Sequence, residues 1–258
     1  MTSKPLLIFD FDGVIVDGLN EYWWSSHNAV SSLIGPKADT SYLPDSVPQA
    51  FRELRPWVHQ GWEMVLLAAE LLRPQSPLRL KGSTFFSSNY ESQCKAALDR
   101  WSFKPTQLQK AIDDVRRLAI TNNKQAWLSL HNPFQFVSDR LKQLQNEGIE
   151  WAVLTTKSKD FTAELLDCFQ LEPNLLFGHE SGSKIKVLKQ LITKRPILGF
   201  IEDRRHTLET VLNTPELSKI PCYLASWGYL KPNDKESLPQ DIYLLKPETL
   251  VTPLATWH

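Results

Sequence analysis

Two aspartates at the end of a short apolar segment are the residues of this sequence best placed to do chemistry. Asp10 lies inside the segment Pro5–Phe11, and Asp12 and Gly13 follow it directly. If the segment is a β-strand, its alternation puts the two carboxylates on the same face. Two carboxylates this close are not both comfortably ionised without a nearby cation, so one could attack as a nucleophile while the other exchanges a proton. The alternative is an Asp-Gly turn after a core strand.

The elements that would position these carboxylates are apolar runs that alternate with helical patterns. Pro5–Phe11 has, apart from Asp10, the continuous apolar character of a strand that is buried on both faces. Similar runs recur at Glu150–Thr155, Ile197–Ile201 and Cys222–Ala225. Helical patterns lie between them at Val137–Asn146, Ser158–Phe169 and Ser183–Ile192. This alternation predicts an α/β fold with a Rossmann-like, doubly wound parallel sheet, which binds ligands at the carboxyl ends of its strands.

The stretch 19–131 has a different pattern, with amphipathic segments and no convincing pair of strands. Repeated prolines divide it into short helices. We therefore predict an all-helical domain at 19–131, inserted into an α/β core that consists of 1–18 and 132–258. Six residues of the insertion are candidates for contact with an anionic substrate, although a solvated helix face would also explain them: His27, Arg52, Arg55, His59, Arg73 and Arg79.

The composition excludes several classes of protein. Lys plus Arg and Asp plus Glu both number 29, so the net charge is zero, which argues against a nucleic-acid partner. The 3 cysteines are odd in number and widely spaced, and form neither a disulfide framework nor a zinc pattern. No apolar run approaches the length of a membrane span, and the N-terminus lacks signal-peptide features. We expect a cytoplasmic monomer or homodimer without membrane or nucleic-acid partners.

Four motifs in order resemble those of the haloacid dehalogenase superfamily. The first, Asp-x-Asp-Gly-Val, stands at Asp10–Val14, and the second, a strand that ends in Thr or Ser, is matched by Ala152–Thr155. The third, a lysine near the start of a helix, is matched by Lys184. The fourth, a strand that ends in acids, is matched by Leu198–Asp203. The insertion occurs where that family places a helical cap of the C1 type, and the pattern is similar to the β-phosphoglucomutase and phosphoglycolate phosphatase branch.

The resemblance implies a role for each motif residue in hydrolysis of a small phosphorylated metabolite. Asp10 would be the nucleophile and Asp12 the general acid and base. Thr155 and Lys184 would hold the phosphoryl oxygens. The resemblance implies Mg²⁺ as the cofactor, bound by Asp10, the backbone carbonyl of Asp12, Asp203 and Glu202.

Each later motif also has a plainer explanation. Thr155 could merely end a strand, and Thr156 could take the phosphate-binding role instead. Lys184 could be a solvated helix residue. Glu202 and Asp203 could simply favour the positive end of the following helix.

Two departures from the family pattern limit what can be transferred. Many members carry a further aspartate four residues after the fourth motif, where this sequence has Thr207. The insertion 19–131 is also longer than the usual C1 cap. A phosphomutase on the same scaffold, or a catalytically weak protein that binds a phosphorylated ligand, therefore stays open beside the phosphatase.

Overall fold

The computed structural model describes residues 4–35 and 44–257, so residues 36–43 of the predicted insertion lie outside the described residues. The chain forms two compact units. The first comprises Met1–Asp17 and Asn132–His258, and the second comprises Gly18–His131.

The first unit contains a six-stranded parallel sheet. Its strands are β1 (Leu6–Phe9), β4 (Glu150–Leu154), β5 (Leu175–Phe177), β6 (Ile197–Glu202), β7 (Cys222–Ala225) and β8 (Ile242–Leu245), and their order in space is β5-β4-β1-β6-β7-β8. The chain fills one side of β1 first and then the other, so the strand order reverses there. In open α/β sheets this reversal opens a crevice beyond the carboxyl ends of the strands, where ligands bind.

Both faces of the central strand are buried, as its apolar sequence predicts. Leu6 and Ile8 pack into a core cluster with residues of the helices α9 (Lys184–Ile192) and α10 (Arg205–Leu212). On the other face, the ring of Phe9 meets Trp151 of β4 edge to face, with centroids 6.3 Å apart. The first unit also contains α7 (Gln135–Leu144), α8 (Lys159–Cys168) and α11 (Pro247–Leu250). The predicted doubly wound α/β fold is thereby confirmed.

A short antiparallel pair of strands lies where the chain leaves the first unit and returns to it. Val16 and Asp17 of β2 (Val16–Asp17) pair with Pro133 and Asn132 of β3 (Asn132–Pro133). The two ends of the 114-residue excursion are therefore held side by side within the first unit.

The second unit is helical throughout its described part, 18–35 and 44–131. Its helices are α1 (Leu19–Ile34), α2 (Gln49–Leu54), α3 (Gly61–Leu72), α4 (Pro77–Ser88), α5 (Tyr90–Trp101) and α6 (Pro105–Leu128). The middle of α3 is buried on all sides, from Met64 to Glu70. The unit thus has a core of its own, and the predicted absence of a strand pair holds for its described residues.

A buried ion pair joins the first and last helices of the second unit. Glu21 of α1 is fully buried and accepts two hydrogen bonds from the Arg116 guanidinium of α6, at 2.7 and 2.8 Å. Ser25 also donates to this carboxylate.

Within 4–35 and 44–257, no helix is both long enough and apolar enough to cross a membrane.

Candidate active site

Asp10 directly follows the central strand, at the point where the strand order reverses. Its backbone N–H donates to the carbonyl oxygen of Ile201 at 2.8 Å, which extends the pairing of β1 with β6 by one residue. This bond fixes the backbone from which the Asp10 carboxylate emerges, between the ends of β4 and β6. The residue is only 6% exposed.

Gly13 makes the tight turn after the strand, and only glycine suits this position. Its φ angle of 85° lies in the left-handed region that side chains disfavour. A Cβ atom here would also lie 2.0 Å from Oδ2 of Asp203. The turn therefore brings the backbone after Asp12 directly against an acid of the fourth motif.

Three buried acids converge at this edge of the sheet. Asp10, Glu202 and Asp203 each offer a carboxylate oxygen, and these oxygens all lie within 4.8 Å of one another. Glu202 is fully buried and Asp203 is 2% exposed. An all-oxygen donor set of this kind suits a hard divalent cation such as Mg²⁺, so the residues present fit the implied metal.

Lys184, at the start of α9, supplies positive charge to the same cluster. Its Nζ lies 2.9 Å from Oδ1 of Asp10 and 2.5 Å from Oε2 of Glu202. The other oxygen of Glu202, Oε1, accepts the backbone N–H of Arg204 at 3.1 Å. Both oxygens of Glu202 therefore have partners in the protein, and Oδ2 of Asp203 likewise accepts the backbone N–H of Tyr229 at 2.8 Å.

One lysine does not balance the buried negative charge. Burial raises the pKa of Asp10 to about 7, and the neighbouring Glu202 carboxylate adds to the rise while Lys184 opposes it. Burial likewise raises the pKa of Glu202. Burial acts to lower the pKa of Lys184, but the attraction of Asp10 and Glu202 outweighs it and the pKa is raised. The cluster therefore favours a bound cation electrostatically.

Thr155 lies at the end of β4, beside the nucleophile candidate. Its backbone N–H donates to the carbonyl oxygen of Phe177, and its Oγ1 accepts the N–H of Lys157 at 3.1 Å. Thr155 is buried whereas Thr156 is exposed, which favours Thr155 for the phosphate-binding role. The helix that follows is capped by Ser158, whose hydroxyl accepts the N–H of Phe161.

A second buried lysine belongs to the site, and the sequence analysis missed it. Nζ of Lys157 lies 3.4 Å from Oδ1 of Asp12, and only 4% of the lysine side chain is exposed. In the sequence, Lys157 looks like an ordinary lysine before a helix, since several lysines lie near helix starts. Its burial, which single-sequence patterns do not reveal, distinguishes it.

Of the insertion candidates, Arg55 is part of the packing of the second unit. Its guanidinium carbon lies 4.8 Å from the centre of the Tyr22 ring, and the residue is buried. Arg52 and His59 are exposed. The packing of Arg55 within the second unit accounts for this residue, and no contact with a substrate is needed to explain it.

The sheet order, with acids after β1 and β6 and a lysine at the start of α9, agrees with the arrangement that the resemblance to the haloacid dehalogenase superfamily implies. No family sequence model matches the chain, and no curated protein is significantly similar to it in sequence. Solved structures do match over nearly the whole chain.

Three of these structures are named as phosphatases or as a haloacid dehalogenase-like hydrolase. A predicted phosphatase from Clostridium acetobutylicum is 14% identical, with a TM-score of 0.53 over 94% of this chain and 95% of the other. A predicted phosphoglycolate phosphatase from Haemophilus somnus is 15% identical, with a TM-score of 0.55 over 94% and 95%. A haloacid dehalogenase-like hydrolase from Streptococcus pneumoniae is 17% identical, with a TM-score of 0.54 over 97% and 98%. At these identities the likeness shows the fold.

Proposed function

We propose that the protein is a Mg²⁺-dependent phosphatase that hydrolyses a small phosphate monoester through a phosphoaspartate on Asp10. The observation that carries this proposal is the convergence of Asp10, Lys184 and the fourth-motif acids at the strand-order reversal. The structures of similar fold include proteins named as phosphatases, which supports the same class of reaction.

In the first step, a carboxylate oxygen of Asp10 attacks phosphorus and the ester P–O bond breaks. Asp12 gives its proton to the departing alcohol oxygen. Thr155 donates a hydrogen bond to a phosphoryl oxygen, and the Lys184 ammonium neutralises part of the charge that spreads over these oxygens. The products of this step are the free alcohol and the phosphorylated Asp10.

In the second step, Asp12 takes a proton from a water molecule, and the oxygen of this water attacks the phosphorus of the phosphoaspartate. The acyl phosphate bond breaks, Asp10 is regenerated as a carboxylate, and inorganic phosphate leaves. Bound Mg²⁺ would supply positive charge beside the transferring group. Asp10, Asp203 and the backbone carbonyl of Asp12 would hold it, with Glu202 contributing more through its contact with Lys184 than as a ligand.

The test is phosphate release from a panel of small phosphate monoesters, with Mg²⁺ and with EDTA. We expect release that needs Mg²⁺ and that Asp10→Asn abolishes. Asp139→Asn, the same change at an exposed position of α7, is the matched control and should leave release unchanged.

Three results would count against the proposal. Full activity in excess chelator would show that the reaction does not need Mg²⁺. Binding of phosphorylated ligands by a wild-type protein that releases phosphate from none of them would favour the binding protein instead, and transfer of phosphate between two positions of a sugar would favour the mutase.

A further inference from the structure

A loop after β7 folds back onto the turn that follows Asp12. The backbone N–H of Ser226 donates to the carbonyl oxygen of Leu245 at 2.9 Å, which extends the pairing of β7 with β8, and that of Gly228 donates to the carbonyl oxygen of Ala225 at 3.2 Å, which closes a turn. The indole Nε1 of Trp227 then donates to the carbonyl oxygen of Val14 at 3.1 Å. The loop is therefore bonded to the Asp-x-Asp-Gly-Val turn and not only to its own strand.

Gly13 in the turn after β1 and Gly228 in the loop after β7 allow the backbone of each segment to contact the Asp203 side chain. A Cβ atom at Gly228 would lie 2.2 Å from Cβ of Asp203 and 2.8 Å from the carbonyl oxygen of Gly13. A Cβ atom at Gly13 would meet the carboxylate itself. The side chain of Asp203 is thus packed between two backbone segments that admit no larger residue.

Tyr229 makes one hydrogen bond at each end. Its backbone N–H donates to Oδ2 of Asp203 at 2.8 Å. Its phenolic hydroxyl donates to Oδ1 of Asp17 at 2.6 Å, a short bond of the kind that charged acceptors form. Asp17 belongs to β2 and pairs with Asn132, the residue at which the chain returns from the insertion.

We infer that Tyr229 is a positioning residue that holds Asp203 in the orientation needed to bind a cation. Through its hydroxyl, Tyr229 also connects Asp203 to the antiparallel strand pair β2–β3. This inference rests on the proposed function, because it assigns Asp203 to the metal. The N–H bond holds one oxygen of Asp203 and directs the carboxylate. The hydroxyl bond to Asp17 fixes the loop that carries this N–H.

Outer hydrogen-bond partners of this kind orient a ligand and commonly change metal affinity about 10- to 100-fold when lost. Tyr229→Phe removes only the hydroxyl and keeps the ring and the backbone N–H. We therefore expect the lower end of that range, a dissociation constant for the cation raised about tenfold. Asp17→Ala should have a similar effect because it removes the acceptor of the same bond.

The experiment is titration of the full-length protein with Mn²⁺, a hard cation that electron paramagnetic resonance detects when free. Wild type, Tyr229→Phe, Asp17→Ala and the double variant form a double-mutant cycle. We expect the double variant to bind Mn²⁺ about as weakly as either single variant, since both remove one bond. Asp17→Asn keeps an acceptor oxygen and should bind close to wild type. Tyr243→Phe, which removes the hydroxyl of an exposed tyrosine on β8, is the matched control.

The possible failures are distinguishable. Wild-type Mn²⁺ affinity in Tyr229→Phe would overturn the positioning role and leave the phosphatase proposal intact. A lower melting temperature with unchanged Mn²⁺ affinity would overturn it too, because the tyrosine would then only stabilise the fold. Additive losses in the double variant would disprove the link to Asp17. A wild-type protein that binds no Mn²⁺ and releases no phosphate would overturn both proposals.

Discussion

The two lysines of the site lie beside different aspartates. Lys184 contacts Asp10, and Lys157 contacts Asp12. Each aspartate proposed for a step of the reaction thus has a cation beside it, one from the start of α9 and the other from the loop after β4. This division lets the two aspartates be tested separately.

The proposed roles of Asp12 predict a trapped intermediate. Asp12→Asn keeps the nucleophile and nearly the same shape but removes the proton donor and base. General acid–base catalysis is worth about 100- to 10,000-fold, so turnover of an alkyl phosphate should fall by that factor. With an activated aryl ester, whose leaving group needs no proton, Asp10 should still be phosphorylated. Mass spectrometry in mild acid should detect the phosphoenzyme. Turnover of an alkyl phosphate by Asp12→Asn at the wild-type rate would contradict the role of Asp12 as general acid and base.

Lys157 should matter most when the leaving group needs a proton, because its ammonium is the cation beside Asp12. Lys157→Met removes this ion pair and should lower turnover of an alkyl phosphate by about tenfold, less than the loss expected when Asp12 itself is replaced. Phosphorylation by an aryl phosphate should fall less. Lys159→Met, at an exposed position two residues further on, is the control. Equal losses with both esters would indicate that Lys157 only supports the fold.

At the residue scale, spacing and motif order together single out Asp10, Asp12, Thr155, Lys184 and the fourth-motif acids, and the structure brings these side chains to one edge of the sheet. Lys157 and Tyr229 carry no comparable signal. The environment of Lys157 depends on burial, and that of Tyr229 depends on a loop folding back across the sheet edge. Neither property is visible in the local sequence.

At the scale of elements, the strands that could be predicted are the buried ones. β1, β4, β6 and β7 are continuous apolar runs, and the predicted spans differ from the observed ones only at their ends. β5 has only three residues, and β8 is an edge strand with Tyr243 exposed, so neither gives the pattern of a buried strand. Both lie at the sheet edges, away from the acids.

The pairing of α1 with α6 depends on the buried ion pair Glu21–Arg116. Arg116→Met leaves the Glu21 carboxylate buried without its main partner, which typically costs about 3–5 kcal/mol. We expect the free energy of unfolding of the second unit to fall by this amount. Urea unfolding of the full chain, followed by tryptophan fluorescence, measures it, since Trp23 and Trp127 are buried there.

The control for this prediction is an exposed ion pair on the same helix. Lys110 and Asp114 are one turn apart on α6, and both are exposed to solvent. Because water and salt screen such a pair, Lys110→Met should leave the unfolding curve unchanged. If Lys110→Met and Arg116→Met lowered the free energy of unfolding equally, the buried Glu21–Arg116 pair would contribute no more to stability than the exposed pair.

At the scale of the whole molecule, cation binding should stabilise the folded state. A ligand that binds only the native protein adds about 2.7 kcal/mol at 100 times its dissociation constant. Mg²⁺ should therefore raise the melting temperature of wild type, and Asp203→Asn should largely abolish the shift. Asp139→Asn should retain it. A full Mg²⁺ shift in Asp203→Asn would exclude Asp203 as a ligand.

The two-residue pairing of β2 with β3 also has a consequence for how such a chain can be altered. Because Asp17 and Asn132 are neighbours across this ladder, residues 18–131 occupy the place of a hairpin turn. A hairpin needs only two residues, such as Asn-Gly, to connect strands paired in this way. We therefore expect a change in the length of the helical unit to leave the pairing of β2 with β3 in place, and with it the first-unit strands that carry the acids after β1 and β6.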